Sequence, residues 1–166
     1  MSFVARGTLK ALTFLAAWYL LFYLALGAHE GFHALAATAL GARGVSVVYG
    51  YLWLGPLPLP FEGGCYVEWP SEPAAWQSGL VGLAGGLGTA MLIALLDRAI
   101  RPHGKWSRYL DYASNVHLGH QLLYGACECL WALGLVGWQM VVFGGWAGQA
   151  LGVLLALLER NNVINI

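Results

Sequence analysis

The residues in this chain best suited to chemistry are His29, Glu30 and His33, which form a His-Glu-x-x-His pattern. On a helix, side chains four residues apart lie on one face, so both imidazoles can reach one metal ion. Neutral imidazole is a good zinc ligand, and a carboxylate beside the metal can accept a proton from water. The flanking residues are apolar, and ionisable groups in an apolar membrane helix are costly and usually functional. The pattern therefore predicts a zinc site with Glu30 as the base.

A second group of polar side chains lies on one face of a later predicted helix. His117, Gln121, Tyr124 and Glu128 are spaced by four, three and four residues, and His120 lies on the flank of this stripe. Hydrogen bonding between packed helices would explain such a stripe, but three titratable groups in one span favour a site. A catalytic zinc normally has three protein ligands and water. We therefore expect the third ligand to come from this helix, with His117, His120 and Glu128 as candidates.

The composition predicts an all-α polytopic membrane protein. Of the 166 residues, 59% are hydrophobic and only 10% charged, and the mean hydropathy is +0.64. Soluble domains have about 25% charged residues. The formal net charge is zero, so nothing indicates nucleic-acid binding. The three cysteines form no metal-binding or disulfide pattern, and no feature of the sequence sets an oligomeric state.

Four apolar stretches predict membrane spans at about residues 9–40, 74–96, 112–135 and 138–158 of a single membrane domain. Residues 45–70 contain β-forming residues, glycines and prolines, which exclude a helix. This segment is very apolar, so we interpret it as a β-hairpin or re-entrant loop packed against the motif helix. The alternative is an interfacial loop with an aromatic belt. Basic residues precede the first span and follow the second, which predicts cytoplasmic N- and C-termini.

The motifs resemble those of the site-2 proteases, a family of intramembrane zinc metalloproteases. Residues 29–37 resemble the family's zinc-binding motif, and Gly63-Gly64-Cys65-Tyr66-Val67 resembles the Gly-Gly-Tyr-Val of its β-hairpin. Leu83-Ala84-Gly85-Gly86-Leu87 resembles its Ala-Gly-Pro-Leu, with Gly86 in place of proline. The resemblance covers about residues 27–125. It implies zinc as the cofactor and a peptide or membrane protein within the lipid bilayer as the substrate.

Two positions depart from the family pattern. Phe32 replaces the usual glycine before the second histidine, and Leu123-Tyr124-Gly125 stands where the family has Leu-Asp-Gly. The aspartate that would be the third zinc ligand is therefore missing. Among the candidates we favour His120, because it is the histidine nearest in sequence to the expected aspartate, with His117 and Glu128 as alternatives.

The resemblance predicts hydrolysis of a peptide bond in or near a transmembrane segment. Glu30 would activate water, and Asn115, Gln121 or Tyr124 would stabilise the oxyanion. The alternative is a non-catalytic relative, a membrane subunit or scaffold that keeps the fold and retains a metal. The missing aspartate favours this alternative, whereas Glu30 argues against it because a structural zinc needs no base. A haem or di-iron protein is disfavoured, since the histidines are too few and too closely spaced.

Overall fold

A computed structural model describes residues 3–54, 57–100 and 107–160, with side chains placed for residues 7–53, 62–99 and 109–158. It contains four long helices and one antiparallel hairpin, in the predicted order. The elements are α1 (Phe3–Ala39), β1 (Gly44–Leu54), β2 (Leu57–Glu68), α2 (Ala75–Ile100), α3 (Ser107–Ala132) and α4 (Trp138–Arg160). The mostly helical fold with a hairpin after the first helix is confirmed. Each helix lies close to a predicted span, with its ends displaced by up to six residues.

Helices α1 and α3 each end at a glycine with a positive φ. Gly41 has a φ of 95° and donates its N–H to the carbonyl of Thr38, while Ala42 donates to Ala37. These two bonds form a Schellman motif, which needs a left-handed residue just after the helix. Gly134, with a φ of 74°, ends α3 in the same way. The prediction that Gly41 caps the first helix is confirmed.

Helix α3 is the centre of the bundle and contacts each of the other three helices. Glycines allow this close packing: a Cβ on Gly82 of α2 would lie 3.0 Å from the carbonyl oxygen of Glu128. On the other side, a Cβ on Gly148 of α4 would lie 2.7 Å from the Cα of His120. Small residues at such crossings let helix backbones approach closely. The polar stripe of α3 therefore faces other helices rather than the surroundings.

The contacts also fix the helix directions. Trp18 contacts His117 and His29 contacts Glu128, so α1 and α3 run in parallel. Helices α2 and α4 run antiparallel to α3. One end of the bundle is thus formed by the last turns of α1 and α3 and the first turns of α2 and α4. We call this the hairpin end, because β1 and β2 follow α1 there.

The hairpin packs along α1 and returns toward the level of its middle. Its strands pair with Val47 opposite Cys65 and Tyr49 opposite Gly63, and the register shifts after Gly50. The Tyr49 hydroxyl lies 3.9 Å from the Cβ position of Gly27 in α1. The predicted contact between this segment and the motif helix is therefore present. The prolines of β2 fit an edge strand, where a missing N–H breaks no ladder bond.

Three helices are long and apolar enough to cross a membrane: Gly7–Ala39, Ala75–Ala99 and Trp138–Leu158. Helix α3 is also 26 residues long, but its buried polar residues lower its hydropathy. Large apolar side chains such as Leu35, Leu95 and Trp146 are about two-thirds exposed. The basic segment 101–106 and the C-terminal residues 161–166, on which the predicted orientation partly depends, lie outside the described residues.

Candidate metal centre

Two buried histidines of α1 and a half-buried glutamate of α3 meet toward the hairpin end of the bundle. The Nε2 atoms of His29 and His33 lie 2.9 Å apart. The Oε2 atom of Glu128 lies 3.1 Å from the first and 3.3 Å from the second. His29 and His33 are 5% and 6% exposed. Among the described residues, these three side chains form a group that could hold a metal ion.

The second nitrogen of each imidazole fixes its tautomer. Nδ1 of His29 lies 2.8 Å from the Oε1 atom of Gln121, and Nδ1 of His33 lies 2.6 Å from the carbonyl oxygen of Val81. Both partners are acceptors, so each Nδ1 carries the hydrogen and donates it. In the neutral rings both Nε2 atoms then present lone pairs toward the Glu128 carboxylate. Such atoms repel one another at these distances unless they share a cation or a proton.

The triangle of ligand atoms fits zinc. Zinc binds histidine nitrogen and carboxylate oxygen at about 2.0–2.2 Å in a tetrahedral arrangement, which places neighbouring ligand atoms about 3.3 Å apart. The observed separations of 2.9, 3.1 and 3.3 Å are close to this value. Hydrogen bonds from the outer nitrogens to Gln121 and Val81 are typical of metal-binding histidines, because they orient the rings. Two histidines, one glutamate and an open fourth position form a common catalytic zinc site.

Glu30 lies beside this group, between α1 and the hairpin. It is 5% exposed and close enough to both imidazoles and to Glu128 to interact with them electrostatically. A Cβ on Gly63 of β2 would lie 2.8 Å from the Glu30 Oε1 atom. Gly63 therefore lets the strand backbone pack directly on the Glu30 carboxylate.

A cavity of about 350 Å³ opens onto the site. Its inner wall includes Glu30, His33 and Glu128, and one side is the β2 segment from Gly63 to Val67. Tyr124 and three tryptophans also line it, namely Trp69, Trp131 and Trp138. The cavity gives water a route to Glu30, His33 and Glu128.

Gly85 of α2 closes the site on the side facing α1. A Cβ at this position would overlap the His33 imidazole and lie 2.8 Å from His29 Nε2. Gly85 is buried. The absence of a side chain therefore leaves room for the two imidazoles and for a metal ion between them.

The structure brings Glu128, and not His120, to the two motif histidines, so our preference for His120 was wrong. Nδ1 of His120 lies 3.1 Å from the carbonyl oxygen of Gly145 and 3.3 Å from Nε2 of Gln149, both in α4. The ring stacks on Tyr124, at 5.3 Å between centroids. Tyr124 in turn contacts the edge of His29, so its ring lies between His120 and the site.

His117 is not at the site either. Its Nε2 donates to the carbonyl of Trp18, 2.9 Å away, and its ring stacks on the Trp18 indole. His117 comes eleven residues before Glu128 in α3, which corresponds to about 16 Å along the helix axis. It holds α1 against α3 and cannot reach the metal group.

The three residues expected to stabilise an oxyanion lie in different places. Asn115 comes thirteen residues before Glu128, about 20 Å along α3, and lines a separate cavity beside Asp97. Gln121 accepts the His29 hydrogen bond and so orients a ligand. Tyr124 lines the cavity at the site. Asn115 is therefore excluded from the oxyanion role by distance, and Tyr124 remains in a position to contact a substrate.

Sequence reasoning missed the orienting role of Gln121 and the contributions of Val81 and Gly85. One signal was available, because Gln121 and Glu128 are seven residues apart and share a helix face. Val81 acts through its backbone carbonyl, which no sequence pattern marks.

Cys65 also lines the cavity. Burial raises the pKa of its thiol, and the Glu30 and Glu128 carboxylates raise it further.

No family model, curated protein or solved structure matches this chain. The relation to the site-2 proteases thus remains a prediction based on short motifs.

Proposed function

We propose that this chain is an integral membrane zinc metalloprotease. The observation that carries the proposal is the convergence of His29, His33 and Glu128, with Glu30 beside them at the wall of an open cavity. Three protein ligands leave a coordination position for water, whereas a structural zinc has four protein ligands. A buried carboxylate that is not a ligand is what a hydrolytic site needs as a base.

The surface of the bundle supports membrane embedding. Three helices have the length and hydropathy of membrane spans, and their outward residues are largely leucine, valine and aromatic. The exposed side of the hairpin is also apolar, with Leu52 56% and Trp53 64% exposed. Exposed apolar surface of this extent would cause aggregation in water and is stable in lipid. A two-stranded hairpin leaves the outer edge of each strand unpaired, so at membrane depth these edges must face protein or a water-filled cavity.

The residues have distinct roles in peptide hydrolysis. His29, His33 and Glu128 would hold zinc, which when bound supplies Lewis acidity toward water and a peptide carbonyl. The Glu30 carboxylate accepts the proton of the attacking water and delivers it to the leaving amine. The Tyr124 hydroxyl, at the cavity wall, donates a hydrogen bond to the carbonyl oxygen as negative charge develops. Gln121 keeps His29 in the tautomer that binds metal.

Strand β2 is suited to hold an extended substrate. Within the described residues the sheet has two strands, so one edge of β2 is unpaired, and its segment 63–67 lines the cavity. A peptide can add to such an edge through backbone hydrogen bonds. A helical substrate would first have to unwind, because its carbonyls are hydrogen-bonded within the helix.

Metal analysis and a proteolysis assay with purified protein test the proposal. We expect about one zinc per chain in the wild type and none in His29→Ala. Glu30→Gln should keep zinc and the folded state but lose at least 100-fold in cleavage of a single-span substrate, because only the base is removed. Zinc binding without cleavage in either protein would instead support a metal-containing scaffold. Iron, haem or no metal would refute the zinc site.

A further inference from the structure

The charged residues are unevenly divided between the two ends of the bundle. Along the sequence, seven of the eight lysines and arginines lie in the first turns of α1, between the last turn of α2 and the first turn of α3, or at the end of α4. They are Arg6, Lys10, Arg98, Arg101, Lys105, Arg108 and Arg160. Only Arg43 belongs to the hairpin end, where it is accompanied by Glu62, Glu68 and Glu72. The metal centre is thus at the end with few basic residues.

Tryptophans mark the hairpin end as a boundary between lipid and water. Trp76 begins α2, Trp131 ends α3 and Trp138 begins α4, and they are 58%, 45% and 46% exposed. Trp69 lies at the end of β2 and lines the cavity. Tryptophan is enriched at membrane–water interfaces.

The metal centre lies toward this boundary. Glu128 is four residues from the end of α3 at Ala132 and 21 residues from its start at Ser107. These intervals correspond to about 6 Å and about 32 Å along the helix axis. The hydrocarbon core is about 30 Å thick. On α1, His33 and His29 lie six and ten residues before the end at Ala39, about 9 Å and 15 Å along the axis. The site therefore lies in the half of the bundle nearer the hairpin end.

We infer that the metal centre opens at the non-cytoplasmic surface of the membrane and cleaves juxtamembrane segments of membrane proteins on that side. The inference rests on the proposed protease function. Basic residues near membrane spans are retained in the cytoplasm, which places the basic end of the bundle there and the cavity on the opposite side. Residues next to a span are easier to extend along β2 than residues within a helix, since their backbone carbonyls can bind water instead of one another.

Cysteine labelling in intact cells tests the sidedness. Cys65, Cys127 and Cys129 are replaced by serine, and a single cysteine is introduced as Ser71→Cys or Gly7→Cys. Both positions are exposed and uncharged, and they lie at opposite ends of the bundle. A membrane-impermeant maleimide should label Ser71→Cys at least ten times more than Gly7→Cys. After the membrane is permeabilised, both should be labelled equally, which shows that each thiol is reactive.

Preferential labelling of Gly7→Cys, or equal labelling of both in intact cells, would overturn the inference. A second measurement uses two single-span substrates that carry the same extended segment on the non-cytoplasmic or the cytoplasmic side. We expect at least tenfold faster cleavage of the first, with the cut in that segment, and equal or reversed rates would also overturn it. If the labelling is as expected but the wild type contains no zinc and cleaves neither substrate, the protease function fails and the sidedness of the cavity stands.

Discussion

Gly85→Ala should weaken zinc binding about 100-fold without changing any ligand. The added Cβ would overlap the His33 imidazole and lie 2.8 Å from His29 Nε2, whereas a favourable carbon contact is about 3.5–4.0 Å. The His33 ring cannot simply rotate away, because its Nδ1 is bonded to the carbonyl of Val81, one turn earlier on the same helix as Gly85. A shift of the ring therefore breaks this bond and moves Nε2 out of the ligand triangle.

The size of the effect follows from the strain. Overpacking by one methyl group costs about 1–3 kcal/mol, and a lost hydrogen bond adds about 1 kcal/mol. In the metal-free variant the His33 ring can move and relieve the strain. Metal binding requires the ring to return, so the free energy of the strain is subtracted from that of zinc binding. A cost of about 2.7 kcal/mol corresponds to a 100-fold weaker affinity, and we expect a decrease of about this size.

The assay is competition for zinc between the purified protein in detergent and a chelator of known affinity. Gly31→Ala is the matched control, because Gly31 lies between the two histidines in α1 and has no heavy atom within 4 Å of its Cβ position. This control should bind zinc like the wild type. Thermal unfolding of both variants shows whether they are folded. If Gly85→Ala is folded and binds zinc within a factor of three of the wild type, the packing argument is refuted.

Three further results are expected. Glu128→Gln should lose zinc while His120→Ala retains it, measured by elemental analysis; the opposite result would restore His120 as the ligand. Gln121→Ala should weaken zinc binding about 10- to 100-fold, which is the usual effect of removing the hydrogen-bond partner of a metal-binding histidine. An unchanged affinity would show that other contacts orient the His29 ring. Gly63→Ala should lower the cleavage rate at least tenfold, because the added Cβ would displace the Glu30 carboxylate. Gly64→Ala should cleave like the wild type, because the nearest atom to its added Cβ lies 3.6 Å away. Equal rates for the two variants would place the Glu30 carboxylate elsewhere during the reaction.

Local patterns were sufficient to predict the helices, the hairpin and the histidine pair. Apolar stretches of 20 or more residues define α1, α2 and α4, and Gly41 ends the first of them. The two histidines are four residues apart on one helix, so their proximity follows from helix geometry alone. The hairpin was expected because glycines, prolines and β-forming residues alternate in a segment too apolar to be a free loop.

The third ligand was not determined by local geometry, since it depends on how α3 lies against α1. The sequence shows that α3 has a polar stripe, but any residue of that stripe can be level with the motif, depending on the relative position of the helices. Proximity to the aspartate position implied by the family pattern favoured His120. In the structure Tyr124 occupies that position, and the ligand comes one turn later.

The choice depends on both the relative level of α1 and α3 and the face of α3 that points toward α1. In two parallel helices, residues at the same height differ in residue number by a nearly constant amount, because both helices rise by about 1.5 Å per residue. The contact between Trp18 and His117 and the contact between His29 and Glu128 have the same separation of 99 residues. His29 nevertheless contacts α3 over two turns, because its Nδ1 reaches Gln121 and its Nε2 reaches Glu128. The level alone therefore does not exclude His120, the neighbour of Gln121. His120 is excluded by the face of α3 on which it lies, since its ring meets Gly145 and Gln149 of α4.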